Sequence, residues 1–305
     1  MAIGDIITAV RYNNIQTRVA NIYGTGSGTD GYGQVVASST VAATSLVTAL
    51  DMQELYSDIS DCFLHQNGAG ISSISDLTTG DIIADDNNST NPAGTIKGYV
   101  DYDVATTGIV TNKFVMDPSQ ATLATIVTSV RSTTWNGTIT HEFTVTFADA
   151  DARRYFFNTH GEIRFSAGIA GGSGAKTANW SSMLSEAGVI SFNYTETNAT
   201  GSGSGSNNGN YDLTGSYQQI YTKVGSGVYA ENDYTIQARA DSTSVIRFLV
   251  ELNDDDTGDQ QGGVEPGPSV DENINGTVTS TIQTFRASGT GVTIPDPSFT
   301  TTSNL

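Results

Sequence analysis

The sequence predicts a mainly β fold with an α-helical N-terminal region: an antiparallel β-sandwich, Ig-like or jelly-roll-like, carrying one short helix across a sheet edge. Three observations lead to that class. Residues 153–194, RRYFFNTHGEIRFSAGIAGGSGAKTANWSSMLSEAGVISFNY, hold two stretches of period-two alternation separated by a glycine-rich turn and an amphipathic segment. Several later stretches alternate in the same way. Finally, 33 glycines and only 15% charged residues in a 305-residue chain form the profile of turn-rich β proteins rather than of helical enzymes.

Taken in order, the chain first predicts a helix capped by Asp5 and ending at Gly24. Its apolar residues do not form one stripe at 100° per residue. Ile3, Ile6, Ile7 and Val10 cluster on one side, and Tyr12, Ile15, Val19, Ile22 and Tyr23 on another. Such a helix either bends near residues 12–14 or is covered on two sides. A second helix is expected from Asp51, with Asp51 and Glu54 at capping-box spacing and Leu50 and Leu55 as a hydrophobic staple. Met52, Leu55, Ile59, Cys62 and Phe63 then share one face, Asp58 and Asp61 the other, and Asn67-Gly68 ends it.

Residues 71–111 read as linker with a candidate strand at 96–104. Strands are expected at 124–130, 138–147, 162–169, 189–194, 233–240, 244–252 and 277–285, with a helix at 177–187 stopped by Gly188. Inward positions include Phe143, Val145 and Phe147, and Ile246, Phe248, Val250 and Leu252. GSGSGSNN at 201–208 has too little side chain to order itself and is expected to protrude as a mobile loop. Residues 254–268 form a long acidic loop, and 295–305 have no helical or strand period. The organisation that results is a helical docking module at 1–70, linker and peripheral strands at 71–135, the sandwich at 136–290 and an extended tail at 291–305.

Charge narrows the partners. A formal net charge of −19 with 13 scattered Lys and Arg repels a phosphate backbone, so no nucleic-acid role is expected. The first 24 residues are interrupted by Arg11, Asn13, Asn14 and Arg18, which argues against a signal peptide or a membrane insertion. Cys62 is the single cysteine and reads as packing.

Catalytic signals are weak. His65, His141 and His160 are far apart in sequence with no ligand-like neighbours. Ser226 lacks the surroundings of a nucleophile elbow, the glycine runs lack the Lys and Ser/Thr of a phosphate loop, and no carboxylate pair stands out for glycoside hydrolysis. No enzyme is expected. The sole cofactor candidate is calcium: Asp254, Asp256 and Asp259 crowd oxygen ligands around the turn residue Gly258, although the spacing matches no EF-hand, and a solvated acidic loop is the competing reading.

Three blocks carry a resemblance: MAIGDIITAVRYNNIQTRVANIYGTGSGTDGYGQ at 1–34, ARRYFFNTHGEIRFSAGIAGGSGAKTANWSSML at 152–184, and TKVGSGVYAENDYTIQARA at 222–240 followed by DDDTGD and VDENINGTV. Together they resemble virion structural proteins of tailed phages infecting marine cyanobacteria, variously tail-fibre, neck or baseplate-associated. The resemblance implies a non-enzymatic virion component, assembled in the bacterial host cytoplasm beside other virion proteins, with no catalytic residues to carry over. A homo-oligomer, preferably a trimer, is expected to dock through Ile6, Ile7, Val10, Ile15, Val19, Ile22, Met52, Leu55 and Ile59, with the β-domain displayed outward for host attachment, for instance to a surface glycan. A capsid-surface decoration protein and a carbohydrate-binding or depolymerising adhesin are the alternatives.

Overall fold

The computed structural model describes residues 8–76, 82–83, 95–96, 98–124, 126–258 and 271–304. The chain divides into two compact units. One comprises Met1–Thr122, Arg154–His160 and Arg286–Pro295, and the other Leu123–Arg153, Gly161–Phe285 and Asp296–Leu305. The helical unit thus runs well past residue 70 and recruits two later segments.

In the helical unit, α1 (Ala9–Tyr23) starts from Thr8, whose hydroxyl accepts from Arg11 N at 3.4 Å. Asp5, the expected cap, lies outside the described residues. Tyr12, Ile15, Val19, Ile22 and Tyr23 are all buried, so this expected apolar cluster packs, whereas Val10 of the other is 75% exposed and its Ile3, Ile6 and Ile7 lie outside the described residues. α2 (Ala49–Asn67) begins two residues before the expected start. Its capping box is Thr48 with Asp51, because the Thr48 hydroxyl accepts from Asp51 N while Asp51 Oδ2 takes Thr48 N–H at 2.7 Å. Gly68, at φ 71°, closes it as expected. Asp58, expected on the solvent face, is buried instead, since the loop donates to it from Ala37 N, Ser38 N and Ser38 Oγ.

Two short strands, β1 (Ile82–Ile83) and β2 (Thr95–Ile96), pair in parallel. They precede α3 (Tyr99–Thr111), which occupies most of the stretch expected as a strand at 96–104. Partial period-two alternation favoured the strand. The helix wins because Tyr102, Ala105, Thr106 and Ile109 bury at helical spacing, and Thr106, Thr107 and Thr111 return their hydroxyls to carbonyls four residues back. Gln66 ties α2 to α3 through Ile109 O at 3.0 Å, and Arg18 ties α1 to α3 through Asp103 at 2.5 Å.

The remaining elements are β3 (Ala121–Leu123), β4 (Val127–Arg131), β5 (Thr138–Thr146), α4 (Ala150–Asn158), β6 (Glu162–Ala170), α5 (Ala175–Ala187), β7 (Ile190–Phe192), β8 (Thr197–Ala199), β9 (Ser204–Gly205), β10 (Gln218–Val224), β11 (Asp233–Ala240), β12 (Val245–Asn253), β13 (Thr277–Ala287) and β14 (Ser298–Asn304). Two antiparallel sheets result. One has the order β14-β5-β12-β11-β10-β9, and the other β3-β13-β6-β7-β8 with β4 also on β13. Their inner faces meet at Phe248 of the first sheet, whose ring lies 4.9 Å from Phe165 and 5.2 Å from Phe192 of the second. This is the expected sandwich, with α5 bridging β6 and β7.

Two expectations about its margins are corrected. Residues 298–304 are no free tail: β14 pairs with β5 from Ser298↔Thr146 to Asn304↔Thr140 and covers that edge, so backbone pairing supplies the order that side-chain period did not predict. Residues 201–208 are pinned rather than protruding. Ser202 N donates to Glu186 O at 2.8 Å, Thr197 and Ser206 form a bridge, and β9 pairs with β10. Glycine makes that possible, since a Cβ at Gly201 or Gly205 would run into the carbonyls of Glu186 or Thr197.

Candidate functional site

The most concentrated chemistry in the β unit lies at the start of α5, on a lysine that belongs to no sequence motif. The turn ahead of the helix uses Gly171, Gly172 and Gly174 at φ 73°, 82° and 101°, a path closed to other residues without strain. Asn275 clamps it, accepting from Ser173 N at 2.6 Å and donating to Ser173 O at 2.8 Å. Lys176 therefore enters the helix in a fixed orientation. It falls on the same face as Trp180, Met183, Leu184 and Ala187, all buried, which carries its side chain inward. That helical spacing was the available signal, and it marks Lys176 as a charged residue on an apolar stripe.

The Lys176 side chain is fully excluded from solvent. Its ammonium donates to Asp254 Oδ2 at 2.9 Å, Asp271 Oδ1 at 2.8 Å and the Asp256 backbone carbonyl at 2.9 Å, with Asp256 Oδ2 at 3.2 Å. Supporting bonds hold the carboxylates in turn. Asn136 donates to Asp271 Oδ2 at 2.7 Å, Asp256 N donates to Asn232 Oδ1 at 2.9 Å, and Glu272 accepts from Lys176 N at 3.2 Å at the positive end of α5. Trp180, one turn along α5, stacks edge-on against Trp135 at 5.1 Å.

The electrostatics separate the carboxylates. Burial pushes Asp254 above the ordinary carboxylate range, against the pull of the Lys176 hydrogen bond. Asp271 is held below that range by the hydrogen bonds from Lys176 and Asn136. For Lys176 burial works against the ammonium, yet the bonds to Asp271 and Asp254 outweigh it and the net shift is upward. The Gly137 backbone N–H also bonds the Asp254 carboxyl, whose Oδ1 is buried with no side-chain partner.

The calcium expectation changes accordingly. Asp254 and Asp256 do converge, but on the Lys176 ammonium, and Asp259 lies outside the described residues. No group of three metal-ligating side chains occurs among the described residues. An internal ammonium takes the place of the cation because it brings its own charge and three donors.

The expected docking residues are likewise redistributed. Ile15, Val19, Ile22, Met52, Leu55 and Ile59 are buried in the helical unit's own core, where α1, α2 and α3 meet, and so are not free for a partner. Val10 is exposed, and Ile6 and Ile7 lie outside the described residues. The apolar side chains that do reach solvent include Val10, Val35, Leu46, Leu50 and Val104, between 61% and 90% exposed.

The histidines are buried structural groups at two of their three positions. His141 Nδ1 lies 2.6 Å from Ser280 Oγ, and burial, helped by Arg131, lowers its pKa to about 4. His65 packs against the Tyr32 ring at 5.0 Å, and burial, with repulsion from His160, also brings it to about 4. A hollow of about 120 Å³ beside Leu123, Ile126, Arg164 and Val189 is small for a substrate pocket. No family model matches the chain, and no curated protein or solved structure matches it either.

Proposed function

We propose that the protein is a non-enzymatic structural component of a tailed-phage virion, a homo-oligomer, preferably trimeric, that docks on other virion proteins at the tail, neck or baseplate. The observation that carries this reading is the helical unit's exposed aliphatic set, Val10, Val35, Leu46, Leu50 and Val104. Leaving such side chains in water forgoes about 1.5–3 kcal/mol each, which burial in an assembly recovers. The β unit fits the displayed part, since its two sheets close on a core of their own. The resemblance of the three sequence blocks to cyanophage virion proteins points to the same class. Host attachment, for instance to a surface glycan, is the role proposed for the β unit.

Two measurements test it. Light scattering on the purified chain should give a multiple of the 32.0 kDa protomer, reduced by Leu46→Asp with Val104→Asp. Peptide mapping of purified particles should find the chain in stoichiometric amount. Its absence from the particle would end the proposal, and a capsid-shell position in the particle map would exchange the tail assignment for the decoration role.

A further inference from the structure

We propose that Lys176 and Asp254 form an intramolecular isopeptide bond, an amide between Lys176 Nζ and Asp254 Cγ that welds the start of α5 to the end of β12. Both side chains are wholly shielded from solvent, and the amine nitrogen touches one carboxyl oxygen at 2.9 Å. The other oxygen, Oδ1, is buried with no side-chain partner, and the Gly137 backbone N–H is a further donor to the carboxyl. Burial favours the neutral carboxylic acid and outweighs the opposing pull of the Lys176 ammonium and the Gly137 backbone N–H.

The three carboxylates have different parts. Asp271 is 39% exposed and bonded by Asn136, so it stays ionised and steers the amine. Asp256, with Oδ2 at 3.2 Å, is placed to take a proton from it. Asp254 is the acceptor because its side chain is wholly buried with Oδ2 2.9 Å from the amine nitrogen, whereas Asp271 is partly exposed and Asp256 Oδ2 stands farther off at 3.2 Å. Burial, which holds its carboxyl above the ordinary carboxylate range and so makes it a weaker acid, agrees with that choice.

The step balances without any other reactant. The Lys176 ammonium gives one proton to the Asp256 carboxylate, and the neutral amine adds to Cγ of the protonated Asp254. The tetrahedral adduct passes an amine proton to the departing hydroxyl, the C–O bond breaks, and one water leaves as the C–N bond becomes an amide. Amine and acid are neutralised together, and Asp256 returns its proton to solvent. In bulk water such condensation is unfavourable. Fixed contact supplies an effective concentration of about 10⁵–10⁸ M, and exclusion of water removes the competing hydrolysis.

Intact-mass measurement of the purified full-length chain is the test. The expected result is a mass one water below that of the sequence, no tryptic cleavage after Lys176, and a branched peptide joining Lys176 to Asp254. Lys176→Arg and Asp254→Ala should restore the full mass. Asp254→Asn should still give the same amide, now by loss of ammonia. A wild-type chain at full sequence mass, cleaved after Lys176, overturns the proposal, and so does a branched peptide at Asp256 or Asp271. The wild-type measurement needs no variant, so a substitution that fails to fold leaves the test intact. The result is also independent of whether the chain belongs to a virion.

Discussion

Lys176 Nζ lies 2.9 Å from Asp254 Oδ2, and neither side chain reaches solvent. One buried cation organises the end of β12, the residues just before β13 and the first turn of α5. Its removal leaves Asp254 and Asp256 buried without the group that faces them.

Lys176→Met should therefore destabilise the β unit by about 3–5 kcal/mol, because it removes both the link to Asp254 and the donor that faces Asp256 and Asp271. Combining it with Asp254→Asn and Asp271→Asn should recover part of that loss. Urea unfolding followed by tryptophan fluorescence checks both, since Trp180 sits one turn from the lysine. Equal stability of Lys176→Met and the wild type would show that the cluster contributes nothing.

Calcium should not bind at Asp254 and Asp256. The Lys176 side-chain nitrogen already occupies the space between them, and a divalent ion would have to displace it. Calorimetry with calcium should give no heat, and chelators should leave the melting temperature unchanged. A saturable heat lost on Asp254→Asn would contradict this.

Stability should fall in mild acid. His65 and His141 are depressed to about 4 in the folded chain, against an unfolded value of about 6.5. Between those values the unfolded chain binds protons that the folded chain refuses, so the contribution is complete above pH 6.5 and declines as pH drops towards 4. For His65 the full loss is roughly 3 kcal/mol. Denaturation midpoints at pH 7, 5.5 and 4.5 should decrease in that order, and His65→Leu should flatten the slope. A midpoint unchanged across the series would count against buried neutral imidazoles.

Deleting residues 296–305 should expose the β5 edge that β14 covers. An uncovered edge strand offers unpaired backbone groups to other chains. The truncated protein is expected to aggregate at concentrations where the full chain is clear by light scattering, whereas unchanged solubility would mean that β14 protects nothing.

The sequence alone determined the sandwich and its principal strands. Strict alternation in residues 245–253 leaves a single way to bury Ile246, Phe248, Val250 and Leu252, and Gly188 and Gly68, at φ 67° and 71°, end α5 and α2. Tertiary structure decided what local pattern could not carry. α3 is a helix because of what Tyr102 and Ile109 pack against, despite its β-branched residues, and β14 and β9 are strands because neighbouring backbones pair with them. Residues 15, 19, 22, 52, 55 and 59 looked like an interface because a helix shows which face is apolar and not what covers it. The Lys176 cluster was hidden for the same reason. Lys176 stands 78, 80 and 95 positions before Asp254, Asp256 and Asp271, so sequence spacing says nothing of its meeting them, and only the folded sandwich brings one buried lysine to three acidic side chains.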